Sequence, residues 1–189
     1  MFLDTNHDGK INSEDKTDLG NPNPDVTMGL NLSAGYKGFD LIVSGYFALG
    51  QQVARSYRRF TDGEDNNYTS EVYSYWNGEG TSNKYPLLAR MNEGQNWQAI
   101  SDIYIENAGY FRLQNVTLGY DFTKLWRNGP FQMLRFYVSV QNFFTITSYK
   151  GMDPENGHAV DGNEPWVTGV DLGNYPQPRT YMVGVNIKF

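Results

Sequence analysis

The last nine residues of the chain alternate between apolar and mostly small or polar side chains. From Tyr181 to Phe189 every second residue is apolar. Because successive side chains of a strand point to opposite faces of a sheet, this pattern predicts a β-strand with one apolar face. An apolar strand face that ends on an aromatic residue is typical of a membrane β-barrel, whose outer surface faces lipid.

The same alternation occurs twice in residues 26–49, on either side of Lys37-Gly38. A two-residue turn at Lys37-Gly38 predicts a β-hairpin of strands 26–36 and 39–49. Such a turn fixes the register, and every pair that it aligns on the alternating face is apolar. The pairs nearest the turn are Tyr36 with Phe39, Ala34 with Leu41, and Leu32 with Val43.

Two further strands are predicted, at 110–122 and at 134–147, which gives five with the C-terminal strand. Strands of about ten residues can cross a bilayer when tilted. Long polar segments at 50–108 and 148–178 alternate with short turns, as extracellular loops and periplasmic turns do in outer-membrane barrels. The expected fold is therefore all-β, with antiparallel barrel strands and long extracellular loops.

The composition is compatible with this fold and argues against several other classes of protein. Aromatic residues make up 15% of the chain, yet no run approaches the roughly 18 apolar residues of a membrane-spanning helix. A formal charge of −6 argues against a nucleic-acid partner, and the absence of cysteine excludes disulfides. No signal peptide precedes the strands, so we expect a segment of a larger protein. No nucleophile motif or acid–base pair stands out, and we predict that the chain is not an enzyme.

The segment Asp4–Asp15 matches the spacing of a twelve-residue calcium loop, with Gly9 at the turn position. Carboxylate, amide and carbonyl oxygens at alternate positions are the hard ligands that Ca²⁺ prefers. The alternative is a loop of Asx turns that needs no metal. The predicted ligands of a structural Ca²⁺ are Asp4, Asn6, Asp8, Lys10 through its backbone carbonyl, Asn12 and Asp15.

Three aromatic residues of the first long segment are candidates for ligand binding: Trp76, Tyr85 and Trp97. Their ring faces could stack on sugar rings or contact a partner protein. The alternative is that the rings pack the loops on themselves.

Taken in order, short motifs along nearly the whole chain resemble the C-terminal end of SusC/RagA-family TonB-dependent outer-membrane transporters. The segments 50–83 and 155–172 match nothing distinctive. The matching stretches are Asp4–Asp15, Gly20–Asp25, Tyr36–Leu41, Lys84–Pro86, Tyr104–Leu113, Asn115–Tyr120, Val138–Phe144, Tyr149–Pro154, Gly173–Thr180 and Val183–Phe189.

The resemblance implies that residues 1–189 are the final five strands of a barrel of about 22 strands. It also implies import of glycans or peptides across the outer membrane of a Bacteroidetes-like Gram-negative cell, with a SusD-like lipoprotein. Energy would come from TonB through the N-terminal part, which would contain the plug domain and is absent here. Two alternatives remain: a passive porin or adhesin barrel, and a soluble carbohydrate-binding β-sandwich with a dockerin-like calcium loop.

Overall fold

The computed structural model describes residues 3–57, 70–82, 85, 87, 101–126, 129–155 and 168–189. Regular structure in these ranges consists of β-strands and of short 3-10 helices at Ser13–Asp15, Ser70–Ser74, Asp102–Tyr104 and Phe122–Lys124. No helix in these ranges has both the length and the apolar character needed to span a membrane.

The strands of these ranges are numbered in chain order. They are β1 (Val26–Tyr36), β2 (Phe39–Leu49), β3 (Gln52–Arg55), β4 (Ile105–Asn107), β5 (Tyr110–Asp121), β6 (Met133–Thr147), β7 (Val170–Asp171) and β8 (Thr180–Lys188).

The chain divides into two compact units. The first, here called the sheet unit, comprises Pro24–Gln51, Ala108–Tyr149 and Tyr175–Phe189. The second, here called the loop unit, comprises Met1–Asn23, Gln52–Asn107 and Lys150–Asn174.

The sheet unit contains one antiparallel sheet of five strands in the order β1-β2-β5-β6-β8. This sheet confirms all five strands predicted from the alternation of side chains. Each strand lies beside its predecessor in the sheet unit, as in the wall of an up-and-down barrel.

The turn between β1 and β2 sets the register of this sheet. Lys37 and Gly38 both have positive φ, +49° and +95°, as the two central residues of a type I′ turn require. Tyr36 pairs with Phe39, and Leu32 pairs with Val43, as the sequence predicts. The turn therefore places the apolar residues of both strands on one face.

That apolar face continues across all five strands. One row of paired residues runs from Ala34 through Leu41, Leu118 and Val138 to Val183. Four of these side chains are 39% to 67% exposed, although they are all apolar. An exposed apolar surface of this extent is characteristic of a face that meets another apolar phase.

The opposite face is polar and is tied together across its strands. Arg135 on β6 reaches Asp40 on β2 with two hydrogen bonds, of which the Nε–Oδ1 bond is 2.7 Å. This ion pair packs over Gly119 of β5. A Cβ at that position would lie only 2.5 Å from Asp40 Oδ1 and 2.6 Å from Arg135 Nε. A second set of bonds joins Thr117 to Ser139, and Ser139 to Asn115.

The loop unit contains a smaller sheet, which the sequence patterns did not predict. Its central strand β3 pairs antiparallel with β4 and parallel with β7. These strands are two to four residues long. An alternating pattern needs more residues than that to be recognised.

Replacing Gly119 with alanine should lower the free energy of unfolding by about 1 kcal/mol, because the new methyl group displaces the ion pair above it. Urea unfolding of the folded protein measures this change. The matched control is Gly29→Ala on β1, where a Cβ meets nothing within 4 Å. Equal stability of the two variants would contradict the packing of Asp40 and Arg135 over Gly119.

Candidate functional site

A buried cluster of charges holds the loop unit together. Arg55 is 5% exposed and donates from Nη2 to Glu106 Oε1 at 2.9 Å and to Glu71 Oε2 at 3.2 Å. Lys150 donates from Nζ to the other oxygen of Glu71 at 3.0 Å. Since the four residues lie far apart in sequence, these bonds join distant segments of the chain. A buried guanidinium needs such partners, and removing one leaves an uncompensated charge.

Two side chains in or beside this cluster have shifted pKa values. The hydrogen bond with Glu71 raises the pKa of the Lys150 ammonium group above its usual value. Burial raises the pKa of the Tyr57 hydroxyl, whose ring lies 5.9 Å from the Arg55 guanidinium. The cluster was not predicted from the sequence, because no motif or spacing relates its members.

Two of the three aromatic candidates lie in the described residues, and they have different surroundings. Tyr85 is 5% exposed and packs edge-on against Tyr75, with 5.5 Å between ring centroids; both rings belong to a small core that includes Tyr104. Trp76 is 40% exposed. The geometry therefore favours a packing role for Tyr85 and leaves Trp76 accessible, while Trp97 lies outside the described residues.

An exposed aromatic residue that was not among the sequence candidates lies three positions before Trp76. Tyr73, in the 3-10 helix Ser70–Ser74, is 91% exposed. Exposed rings of this kind can stack on sugar rings or on peptide side chains. Its sequence context, with aromatic residues at 73, 75 and 76, gave no indication of which ring is buried.

The N-terminal segment Asp4–Asp15 folds into a loop whose carboxylates accept backbone hydrogen bonds. Asp4 Oδ2 accepts from the Gly9 N–H at 2.8 Å, and Asp8 Oδ1 accepts from the Lys10 N–H at 2.8 Å. Gly9 adopts a φ of +80°, in the left-handed region that the sharp turn of a calcium loop favours.

The end of the loop closes back onto its beginning. Asp15 accepts from the Asn12 N–H and from the Thr5 N–H, both at 2.8 Å, and these bonds lower the pKa of its carboxyl group. Asn12 Oδ1 accepts from the Glu14 N–H at 2.7 Å. Asn6 Oδ1 accepts from the N–H of Asp8 at 3.1 Å. The predicted ligands thus lie within one small loop.

This arrangement is compatible with both interpretations of the loop. Within the described part of the chain, no three or more His, Cys, Asp or Glu side chains group so as to hold a metal ion. The predicted calcium site, however, also uses amide oxygens and the Lys10 carbonyl, which are ligands suited to calcium. The same hydrogen bonds make Asx turns that need no ion.

Relatives in sequence and in structure identify the class of protein. No family model matches the sequence. The whole chain aligns with TonB-dependent receptor P3 of Formosa agariphila. The alignment is 193 residues long, the identity is 32%, and the chain covers 19% of that protein. It is 35% identical over 191 residues to TonB-dependent receptor SusC of Bacteroides thetaiotaomicron, of which it covers 17%. The chain therefore spans about a fifth of the length of these relatives.

The fold is similar to that of solved RagAB structures. The match to the RagAB peptide transporter has a TM-score of 0.72 at 23% identity and covers 95% of this chain and 19% of the other. The match to the RagAB peptide importer in the open-open state has a TM-score of 0.69 at 24% identity and covers 90% of this chain and 18% of the other. These relatives confirm, over the whole chain, the resemblance to SusC/RagA-type TonB-dependent receptors that the sequence motifs indicate.

Proposed function

We propose that the chain is part of the barrel of an outer-membrane transporter that imports glycans or peptides together with a SusD-like lipoprotein, with energy supplied through TonB. The main support is the continuous apolar face of the sheet unit, which has the alternation of a barrel wall. A soluble β-sandwich would bury such a face against a second sheet. The similarity to the RagAB peptide transporter supports a peptide as the substrate, and the resemblance of the sequence motifs to the SusC/RagA family adds glycans as the second class.

In this proposal the two units have separate tasks. The sheet unit crosses the outer membrane, with its polar face towards the hydrated lumen. The loop unit contacts the substrate and the lipoprotein, because loops on a rigid scaffold can vary without disturbing the wall. Trp76, Trp97 and the exposed Tyr73 are the aromatic residues that we assign to these contacts.

A charge on the apolar face should prevent membrane assembly. Val43→Asp places a carboxylate in the hydrocarbon layer, which costs up to about 2 kcal/mol. We expect lower abundance in the outer membrane of cells that produce the whole transporter. Ser44→Asp is the matched control, since residue 44 follows directly and faces the polar side. Equal abundance of both variants would contradict the assigned lipid face.

Loss of an exposed ring should reduce uptake without reducing abundance. Trp76→Ala removes a stacking surface worth about two- to tenfold in affinity, whereas Trp76→Phe keeps one. Measurement of substrate uptake and lipoprotein co-purification, each normalised to receptor abundance, gives the effect. Tyr85→Ala should instead destabilise the loop unit, because its ring is buried. Normal uptake and normal lipoprotein association in Trp76→Ala would remove Trp76 from the proposed contact surface.

We also propose that the N-terminal loop binds a structural Ca²⁺ through the six predicted ligands. Asp8→Ala removes one anionic ligand and should weaken binding by about tenfold or more. Calorimetric titration of the whole transporter with calcium chloride measures the affinity. Asp18→Ala is the matched control, since it removes the same charge outside the loop. Absence of calcium binding at millimolar concentration would leave the metal-free Asx-turn loop as the explanation.

A further inference from the structure

One end of the sheet unit exposes large apolar side chains beyond the strands themselves. This turn end comprises the Lys37-Gly38 turn, the 3-10 helix Phe122–Lys124 with residues 125–126 and 129–131, and the end of β8. Leu125 is 74% exposed, Trp126 57% and Phe189 77%. Neither substrate binding nor the pairing of the strands accounts for this exposure.

The rings of the turn end contact one another and form an ordered surface. The ring centroid of Phe131 lies 5.4 Å from that of Phe189 and 6.2 Å from that of Trp126. Tyr120 contacts Phe122 at 5.0 Å. The surface is contiguous with the apolar face, because Tyr120 pairs with Phe39 and Phe136 in a row of that face. A shallow cleft beside the rings is lined by Phe122, Thr123, Trp126, Gly129, Phe131 and Leu134.

Exposed lysines surround this aromatic surface. Lys124 lies beside the turn, since a Cβ on Gly38 would be 3.0 Å from the Lys124 Cγ, and the exposed Lys37 places its ammonium group 5.2 Å from the centre of the Tyr36 ring. Lys188, at the end of β8, is also exposed. The nearby Asp121 carboxylate already accepts hydrogen bonds from the Thr123 N–H at 3.0 Å and from the Thr123 hydroxyl at 2.7 Å.

Aromatic rings and lysines at the edge of an apolar face match the chemistry of a bilayer surface. Amphipathic rings such as tryptophan lie at the level of the headgroups, and long lysine side chains extend towards them from the apolar region. Cationic side chains near a membrane surface attract anionic lipids. A protein partner with an apolar surface would match the rings, but it would not explain the lysines that flank them.

We propose that the turn end of the sheet unit is an anchor for anionic phospholipid. Trp126 and Leu125 lie at the level between headgroups and acyl chains, and Lys37 and Lys124 bind the headgroup phosphate. This inference rests on the proposed membrane-spanning role of the sheet unit. It adds a preferred lipid class and the residues that recognise it.

Fluorescence quenching in vesicles tests the anchor directly. The chain has no cysteine, so Leu125→Cys introduces one attachment site for a bimane fluorophore in the whole transporter, once any cysteines elsewhere are replaced. The labelled protein is inserted into phosphatidylcholine vesicles that contain either brominated phosphatidylglycerol or brominated phosphatidylcholine at equal mole fraction. A Leu41→Cys label, on the apolar face of β2, is the reference.

We expect bromine to quench the label at position 125, and phosphatidylglycerol to do so more strongly than phosphatidylcholine. The double variant Lys37→Gln, Lys124→Gln should remove this preference. Each lysine that binds a phosphate should contribute about a fivefold difference in affinity between the two lipids. Lys37→Arg with Lys124→Arg should keep it, because the charge is retained. The label at position 41 should be quenched equally by both lipids.

Two outcomes would overturn the anchor while leaving the proposed function intact. In one, the label at 41 is quenched by lipid but the label at 125 is quenched only by aqueous iodide, which would indicate water or a protein partner at the turn end. In the other, the glutamine variant keeps the full preference for phosphatidylglycerol. If the label at position 41 is also accessible only to iodide, both the anchor and the membrane-spanning role are wrong.

Discussion

The hydrogen-bonded register of the five-stranded sheet is the constraint on which the rest of the sheet unit depends. In lipid, every backbone N–H and C=O needs a partner within the protein, and a paired strand supplies one on each side. A shift of one residue would move every apolar side chain to the opposite face. The type I′ turn at Lys37-Gly38 prevents such a shift between β1 and β2. The paired row from Leu41 to Val183 carries the same alternation to β8, although the pairing of β5 shifts register between Leu113 and Asn115.

The two units are stabilised by different interactions. In the sheet unit, the strand ladders supply the backbone bonds, and polar side chains such as Asp40 and Arg135 link strands on the face away from lipid. In the loop unit, three short strands, a small tyrosine core and the buried Arg55 cluster join segments that are distant in sequence. Trp76, which we propose as a ligand contact, therefore belongs to a unit stabilised by charge pairing and aromatic packing more than by a long strand ladder.

The sheet was more predictable from the sequence than the loops, for a physical reason. Each barrel strand is long enough to show the period of two, and the turn at Lys37-Gly38 aligns apolar residues such as Leu32 and Val43, so pattern and register support each other. The short strands β3, β4 and β7 carry no such pattern, and their pairing depends on contacts between distant segments. For the same reason, the sequence did not reveal that Arg55 is buried among distant carboxylates. It also did not reveal that Tyr73 is exposed whereas Tyr85 is buried.

A scan of solvent and lipid accessibility along β1 shows whether the sheet unit spans a membrane. Nitroxide labels placed one at a time at residues 27–35 of the whole transporter in lipid vesicles report collisions with oxygen, which is enriched in lipid, and with a water-soluble nickel complex. Our account predicts strict alternation: oxygen contact at Met28, Leu30, Leu32 and Ala34, and nickel contact at the residues between them. Nickel contact at every position, or no alternation at all, would contradict a membrane-spanning wall.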